Sequence, residues 1–566
     1  METVLNKIKK EIIKLLVAAK VKVDIDDIVT PPDEKMGDFS FACFGTAKKL
    51  KKDPTKLGQE IVAKLKGEHK FFEKIEAAGP YINFFVKSNA IAKITLEAIS
   101  KQKSKFGQSK IGEKKKILLE FSQPNTHKEF HIGHTRNALL GQSLVNTLQA
   151  SGYKVIAANY IGDTGAHVSK WLWAYEKFHQ GEEPRDERAK FLSQVYQEAV
   201  EKISADENLK EEVSQIHQKL EKGDKELNQI WKKSRDWSIE EFKKIYKILN
   251  VDFDVYFYES EEEGPGKKMV AELLKKGIAK ESQGAVIVDL EKYNLGVLLL
   301  LRSDGTILYA TKDIPLAFKK FEKFKIDESW YLVDSRQSFY FQQLFKTLEI
   351  IGLKKPLKHL IYEFVATPEG VISSRAGEVP SFTDAYKFVT GLAEQSTKER
   401  HPGWSVKKIN QTAKTIALAA IKFEMLKSSR EREIVFDPKK ALSFEGFTGP
   451  YLLYTVARIN SILKKEKPGK IKDWNTIKIA PLEKQLVIKM LSFPEIVAEA
   501  ARSAQPSIIA QYLFDLGQKF AEFYHEINVI KADEPEKTWR LLLIKDIRQV
   551  LENGLLLLGI ESLEEM

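Results

Sequence analysis

Two histidines, His131 and His134, flank Ile132 and Gly133 ten residues after Phe121, which belongs to a short apolar run. Two imidazoles around a glycine at the start of a helix suit nucleotide chemistry. A helix end offers N–H groups and a partial positive charge to phosphates. Imidazoles donate hydrogen bonds to charge that develops on an α-phosphate during transfer. The glycine removes a side chain where an adenine ring has to approach backbone. Taken by themselves, the same four residues also fit a metal-binding histidine pair or plain surface histidines.

The elements around the pair narrow the choice. Residues 117–122 form a short apolar run of the kind that makes a buried parallel strand. A turn follows at Pro124, then a helix from Ile132 to about Ala150, with Gly152 just past its end as a C-terminal cap. Residues 155–160 read as a second buried strand, so the unit is βαβ and the sheet parallel. A long polar, helical stretch over about 168–280 reads as an insertion, after which strand material returns at 285–290, 308–309 and 330–333. From about Asp384 the pattern is helical to the end, as in a bundle.

Ahead of the sheet, residues 1–110 read as a small mixed domain. It has a helix, a turn at Pro31 and Pro32, a second helix over 44–65 and a strand over 81–86 opened by Gly79 and Pro80. A charged stretch over 101–116, with Gly107 and Gly112, reads as a linker. The expected architecture is multidomain α/β. Residues 1–110 form an α+β domain, 111–385 a nucleotide-binding parallel sheet with its insertion, and 386–566 an all-α bundle.

Phe121-Ser-Gln-Pro-Asn-Thr-His-Lys-Glu-Phe-His-Ile-Gly-His134 resembles the first signature of class I aminoacyl-tRNA synthetases. Its order of Pro-Asn, Lys and His-x-Gly-His resembles the arginyl family in particular. Tyr160-Ile-Gly-Asp-Thr-Gly165, Leu308-Tyr-Ala-Thr-Lys-Asp313, Val333-Asp-Ser-Arg-Gln337 and Phe341-Gln-Gln-Leu-Phe345 are similar to that family too. So are Phe444 to Arg458, the run Gly37-Asp-Phe39, Gly79-Pro-Tyr-Ile-Asn83, and the last helix over 541–559 with Arg548, Asn553 and Gly554. The resemblance runs in order along nearly the whole chain.

It implies an enzyme that activates arginine with ATP, supplied with Mg2+ as the substrate complex, and loads it onto tRNA. Recognising a planar cation takes carboxylates and other acceptors in fixed positions. The residues that match the family pattern are Glu120, Ser122, Asn125, Tyr309, Asp313 and Gln337. Asp313 and Tyr309, four apart on a helical turn, are expected at the guanidinium, with the others at the amino-acid end or orienting the ligand. For ATP the pattern implies Pro124, Asn125, His131, Gly133, His134, Ser373 and Ser374. The second class I signature usually carries lysines, but here it reads Gly370-Val-Ile-Ser-Ser-Arg-Ala-Gly377 and has none. Either Lys128 or Arg375 is expected to meet the β- and γ-phosphates. Tyr81 and Asn83 match positions touching the outer corner of the tRNA, and Tyr451 and Tyr454 positions near its anticodon.

Bulk composition sets outer bounds. The chain has 566 residues, 43% hydrophobic and 30% charged, as a globular protein does. Its net charge of +11 fits a polyanionic partner or a lysine-rich solvated surface. A single cysteine, Cys43, excludes an internal disulfide and a multi-thiolate zinc site. That fits the cytoplasm. Lysines interrupt the apolar spacing at the N-terminus, so no signal peptide or membrane span is expected. A monomer is expected from the resemblance. The rivals are another class I synthetase, a non-catalytic RNA-binding paralogue and a small-molecule nucleotidylyltransferase. A cysteinyl enzyme would want zinc ligands, a paralogue a broken pocket, and a nucleotidylyltransferase has no use for the helical C-terminus.

Overall fold

Five parallel strands form the centre of the molecule: β5 (Lys116–Glu120), β6 (Lys154–Ile161), β7 (Val255–Tyr258), β11 (Glu328–Asp334) and β12 (Leu357–Tyr362). Their spatial order is β12-β11-β5-β6-β7. The chain lays down β5, β6 and β7 outward in one direction, then returns to add β11 and β12 on the other side. The order therefore reverses between β5 and β11, where a doubly wound sheet opens a crevice beyond its strand ends. The structure is a computed structural model and describes residues 4–31, 36–65, 67–185, 187–368 and 380–566.

The pleat sorts the side chains of β5. Ile117 and Leu119 point into one core, with Trp330 and Leu332 of β11. Leu118 points into the other, with Tyr331 and Val333. Glu120 continues the Leu118 face, because successive side chains alternate, and it pairs in register with Tyr331. That face is covered by helix Tyr309–Phe324; the opposite face is covered by helix Ile132–Ala150. The helix and both flanking strands of the expected βαβ unit are thus present.

The insertion is shorter than expected. Helices Ala166–Phe178, Arg188–Ala205, Leu209–Glu221 and Lys225–Leu249 build a separate core around Trp171, Trp231 and Trp237. The helical stretch then ends, because β7 pairs with β6 from Ala158↔Val255 to Ile161↔Tyr258. Helix Glu259–Lys275 follows, then an antiparallel sheet of β8 (Ala279–Ser282), β9 (Ala285–Asp289) and β10 (Val297–Leu301). A second correction concerns 308–309, expected as strand. Leu308 caps helix Tyr309–Phe324 and Tyr309 is its first residue, although Leu308 N–H still donates to Leu300 O at 3.2 Å.

The N-terminal region is an antiparallel sheet of β1 (Ile28–Val29), β2 (Phe39–Ala42), β3 (Phe72–Ala78) and β4 (Tyr81–Val86), in the order β1-β2-β4-β3. Helix Val4–Ala18 buries Ile8, Ile12 and Leu16 at helical spacing. The stretch read as a linker is fastened down. Asn553 Nδ2 donates to Lys103 O and Phe106 O, both at 2.9 Å. Gly107 lies so close to Phe493 that a Cβ would come within 2.4 Å of the ring. The C-terminal region is a bundle whose main helices include Val406–Leu426, Gly449–Lys465, Pro481–Ser503, Ser507–Glu526 and Glu536–Leu557. A two-stranded pair, β13 (Val365–Ala366) with β14 (Ile434–Val435), joins it to the sheet.

Candidate active site

Beyond the β5 and β11 ends the crevice divides into two cavities. Asn137 holds the strand ends apart: its Oδ1 accepts from Ser122 N–H at 2.7 Å and its Nδ2 donates to Leu332 O at 3.0 Å. The chain leaving β5 is strained, with positive φ at Ser122 (75°), Gln123 (46°) and His127 (62°), none of them glycine. Asn125 bridges to Gly162 at the end of β6, and a Cβ at Gly162 would lie 2.2 Å from Asn125 Oδ1, so a side chain there would have to displace the Asn125 amide.

The first cavity, about 410 Å³, is lined by Asn125, His131, Gly133, His134, Arg336 and Gln337 among others. His131 caps helix Ile132–Ala150. Its Nδ1 accepts from the N–H groups of Gly133 (3.1 Å) and His134 (3.3 Å), while His131 N–H donates to His134 Nδ1 at 3.3 Å. The rings stack at 3.7 Å between centroids. A Cβ at Gly133 would press on the His131 ring at 3.0 Å. The first amides of the helix are thus satisfied internally, Ile132 N–H going to Pro380 O at 3.1 Å. This corrects the expectation that they lie open to phosphate. Instead, with Nδ1 of both rings used as acceptor, the neutral tautomer carries its proton on Nε2, leaving two Nε2–H donors. Both rings are neutral at pH 7. Burial, with Lys128 and Arg336 nearby, pushes His131 down to about 4. Burial, with His131 and Lys128, holds His134 well below the usual histidine range.

The second cavity, about 430 Å³, shares Gln123, Asn125, Val333, Arg336 and Gln337 with the first. Its character is acidic. Helix Tyr309–Phe324 presents Tyr309, Asp313, Leu316 and Lys320 along one stripe, at steps of four, three and four. Opposite stand Glu120 of β5, Tyr160 of β6 and Glu259. Glu120 pairs with Lys320, and Glu259 with Lys312, all four buried. Asp313 has no cation among its hydrogen-bond partners in the described residues, and its Oδ2 accepts from the Tyr340 hydroxyl. Burial first, then the charges of Glu120 and Glu259, push its carboxyl up to about 7.

The sequence motifs and the geometry coincide with known proteins along the whole chain. A model of the catalytic domain of class I tRNA synthetases (R) matches residues 95–438, the N-terminal domain of arginyl-tRNA synthetases matches 2–86, and the DALR anticodon-binding domain matches 452–566. Arginine–tRNA ligase of Bdellovibrio bacteriovorus is 36% identical over 552 residues, covering 95% of this chain and 94% of its own. That of Clostridium acetobutylicum is 35% identical, covering 99% and 100%. The chain belongs to the arginine–tRNA ligase family. The solved arginyl-tRNA synthetase of Thermus thermophilus superposes with a TM-score of 0.81 at 27% identity, each chain covered completely.

Within this ligase fold the expected residues divide. Glu120, Asn125, Tyr309, Asp313 and Gln337 meet in the acidic cavity. Ser122 does not. It lines the histidine cavity, and its Oγ is bonded to the Tyr246 hydroxyl at 2.8 Å. Pro124 is buried, with its carbonyl accepting Gly162 N–H at 3.1 Å, and is absent from both linings. Lys128 opens onto a neighbouring cavity, its Nζ 5.1 Å from the Tyr196 ring centroid. Ser373, Ser374 and Arg375 lie outside the described residues.

Of the expected RNA contacts, Tyr81 is 41% exposed and edge-on to Phe44. Asn83 is a correction. It is buried in the N-terminal domain, where its Oδ1 accepts from Ser40 Oγ at 2.8 Å, so its side chain offers no face to a base. Tyr451 packs against Phe514, and Tyr454 beside Arg458. Glu259, Lys312, Lys320, Tyr340 and Arg336 escaped the sequence reading. Lys312 and Arg336 lie inside the runs 308–313 and 333–337, and Lys320 had a local cue, seven residues along the stripe from Asp313. Glu259 comes from a different stretch of chain with no motif of its own.

Arg136 locks the frame. Its side chain is fully buried and donates to five carbonyls: Glu363 and Phe364 before β13, and Ser429, Arg430 and Arg432 before β14. One turn of the signature helix thus fixes the distance between the histidine cavity and the bundle.

Proposed function

We propose that this ligase joins L-arginine to its cognate tRNA in two steps at one crevice. Arginine's carboxylate attacks the α-phosphorus of Mg2+-ATP, forming arginyl-adenylate and releasing pyrophosphate. A hydroxyl of the tRNA's 3′-terminal adenosine then takes the arginyl group and releases AMP. The observation that carries the reading is an acidic cavity opening directly onto a histidine cavity, with Asn125 and Gln337 in both linings.

Asp313, Tyr309 and Glu259 receive the guanidinium. Glu120 and Glu259 are each paired with a lysine, which leaves Asp313 as the carboxylate for the ligand's charge to balance. Asn125 and Gln337, where the cavities join, orient the reacting carboxylate. The Nε2–H groups of His131 and His134 donate to charge developing on the α-phosphate, and no protein nucleophile takes part. Lys128 or Arg375 meets the β- and γ-phosphates, and Arg336, in both linings, stands ready beside them. Outside the crevice, Tyr81 stacks a base of the tRNA's outer corner, and Tyr451 and Tyr454 face the anticodon side. The protein works as a monomer in the cytoplasm.

The test is arginine-dependent ATP–pyrophosphate exchange, with and without tRNA and with a His134→Ala control. Exchange with arginine but not with lysine or glutamine, lost in the control, is expected. Folded protein that binds tRNA but shows no exchange in either condition would sink the enzyme reading. Unchanged activation after substituting both Lys128 and Arg375 would sink the phosphate assignment.

A further inference from the structure

The hydrogen bonds inside the acidic cavity leave several acceptors open among the described residues. Glu120 is fully engaged: Oε1 accepts from Gln123 Nε2 at 3.0 Å and Oε2 from Lys320. Glu259 Oε2 accepts from Lys312 and from Thr164 Oγ1, and Asp313 Oδ2 from Tyr340. At the carboxylate end these include Asp313 Oδ1, Glu259 Oε1 and the Tyr160 hydroxyl, beside the Tyr309 hydroxyl on the same helix stripe. Among them the Tyr160 hydroxyl is the most telling, because it is buried with no hydrogen-bond partner among the described residues. A buried hydroxyl left unpaired is costly, and of the twelve buried side-chain atoms left so among the described residues, Tyr160 supplies the one on this cavity. Tyr160 lies near the carboxyl end of β6, the end at which the crevice opens, and its ring lines the cavity.

We propose that Tyr160 is a specificity-determining residue of the arginine site. Its hydroxyl accepts a guanidinium N–H and completes, with Asp313 and Glu259, the acceptor set for a planar cation with five donors. The inference rests on the arginine reading above. Burial and the surrounding Asp313, Glu259 and Glu120 carboxylates keep the phenol protonated. The oxygen therefore serves as a neutral acceptor and adds no charge to a cavity already acidic. A third carboxylate in its place would raise the cost of the empty site. A phenol supplies an acceptor at lower electrostatic cost.

The test compares Tyr160→Phe with the unaltered enzyme in three measurements: the melting temperature without ligand, the arginine dependence of pyrophosphate exchange, and arginine binding by calorimetry. Phenylalanine keeps the ring and removes only the orphaned oxygen. The expected result is a melting temperature that does not fall, an arginine KM and Kd raised roughly tenfold, and kcat and the ATP KM within about twofold of the original. A hydroxyl with only a structural role gives the opposite pattern, a lower melting temperature and unchanged arginine affinity, and that would overturn the proposal. So would unchanged values of both. The two readings fail separately: if the unaltered enzyme shows no arginine-dependent exchange, the arginine reading falls. If it does and Tyr160→Phe matches it in affinity, only the role of Tyr160 falls.

Discussion

The two cavities of the crevice share a wall and follow opposite electrostatic rules. The acidic one stores charge: Glu120, Glu259 and Asp313 stand against Lys312 and Lys320, all in a buried setting. The histidine one is balanced: burial and neighbouring cations keep both imidazoles neutral, and its Arg336 is paired with Asp334. On the function proposed above, the difference follows from the ligands. Arginine arrives as a single cation and needs a fixed counter-charge, whose desolvation is worthwhile only where geometry and hydrogen bonds are complete. Mg2+-ATP arrives with its own counter-ion and changes its charge distribution during reaction. It is better served by oriented dipoles that need no rearrangement. One crevice thus combines a static charge lock with a neutral, pre-aimed donor pair.

The largest effect should come from breaking the lock. Asp313→Asn removes the one carboxylate without a cation. Arginine kcat/KM should fall roughly 10²- to 10³-fold, as when one partner of a buried pair is lost. The KM for ATP should hardly change, and exchange kinetics at varied arginine and ATP would show it. A similar loss on both substrates would mean that the cavities are not electrostatically separate. His134→Ala attacks the other side. It should lower kcat by about 10²-fold, as losing one oriented donor does, with arginine KM preserved. It should also cost about 1 kcal/mol of stability, because His134 Nδ1 helps cap the helix, measurable by denaturant unfolding.

Lowering the pH sharpens the contrast without a mutation. Asp313 in the free enzyme titrates near pH 7, and bound guanidinium favours its charged form. Arginine affinity should therefore be full above about pH 7 and fall as pH drops below it, by up to about tenfold per unit. ATP KM should stay flat between about pH 6 and 8, because His131 titrates near 4. An arginine KM independent of pH across that range would show that Asp313 is ionised before arginine binds. The smallest effect lies outside the crevice. Tyr81→Ala should raise the KM for tRNA by about tenfold, the worth of one stacked base, leaving the arginine and ATP constants unchanged.

Much of the frame was legible because it is written locally. Helix Ile132–Ala150 stands where its apolar spacing and Gly152 predict it, and β5 and β6 where their apolar runs do. Asp313 and Tyr309 were legible as a pair because one helical turn joins them. What stayed hidden depends on partners far away in sequence. β7 is only four residues long, between two helical stretches, and only its pairing with β6 makes it a strand. Glu259 enters the pocket because helix Glu259–Lys275 packs against Tyr309–Phe324. Asn83 was expected at the tRNA only through the family resemblance, which does not carry the pairing with β2 and the Ser40 hydrogen bond that bury its side chain. His131 and His134 were readable as residue types, whereas their mutual capping, which decides which ring nitrogen carries the proton, is a matter of three-dimensional geometry.

The carbonyl cage around Arg136 has a consequence for anyone who would divide this chain into pieces. Three of its five acceptors, Ser429, Arg430 and Arg432, come from the segment leading to β14. A fragment cut upstream of Ser429 would leave a permanently charged group in an apolar interior with two carbonyls for company. Expression fragments, split reporters and swaps of the anticodon-binding part between species should keep residues 429–432 with the sheet, and place the junction beyond β14.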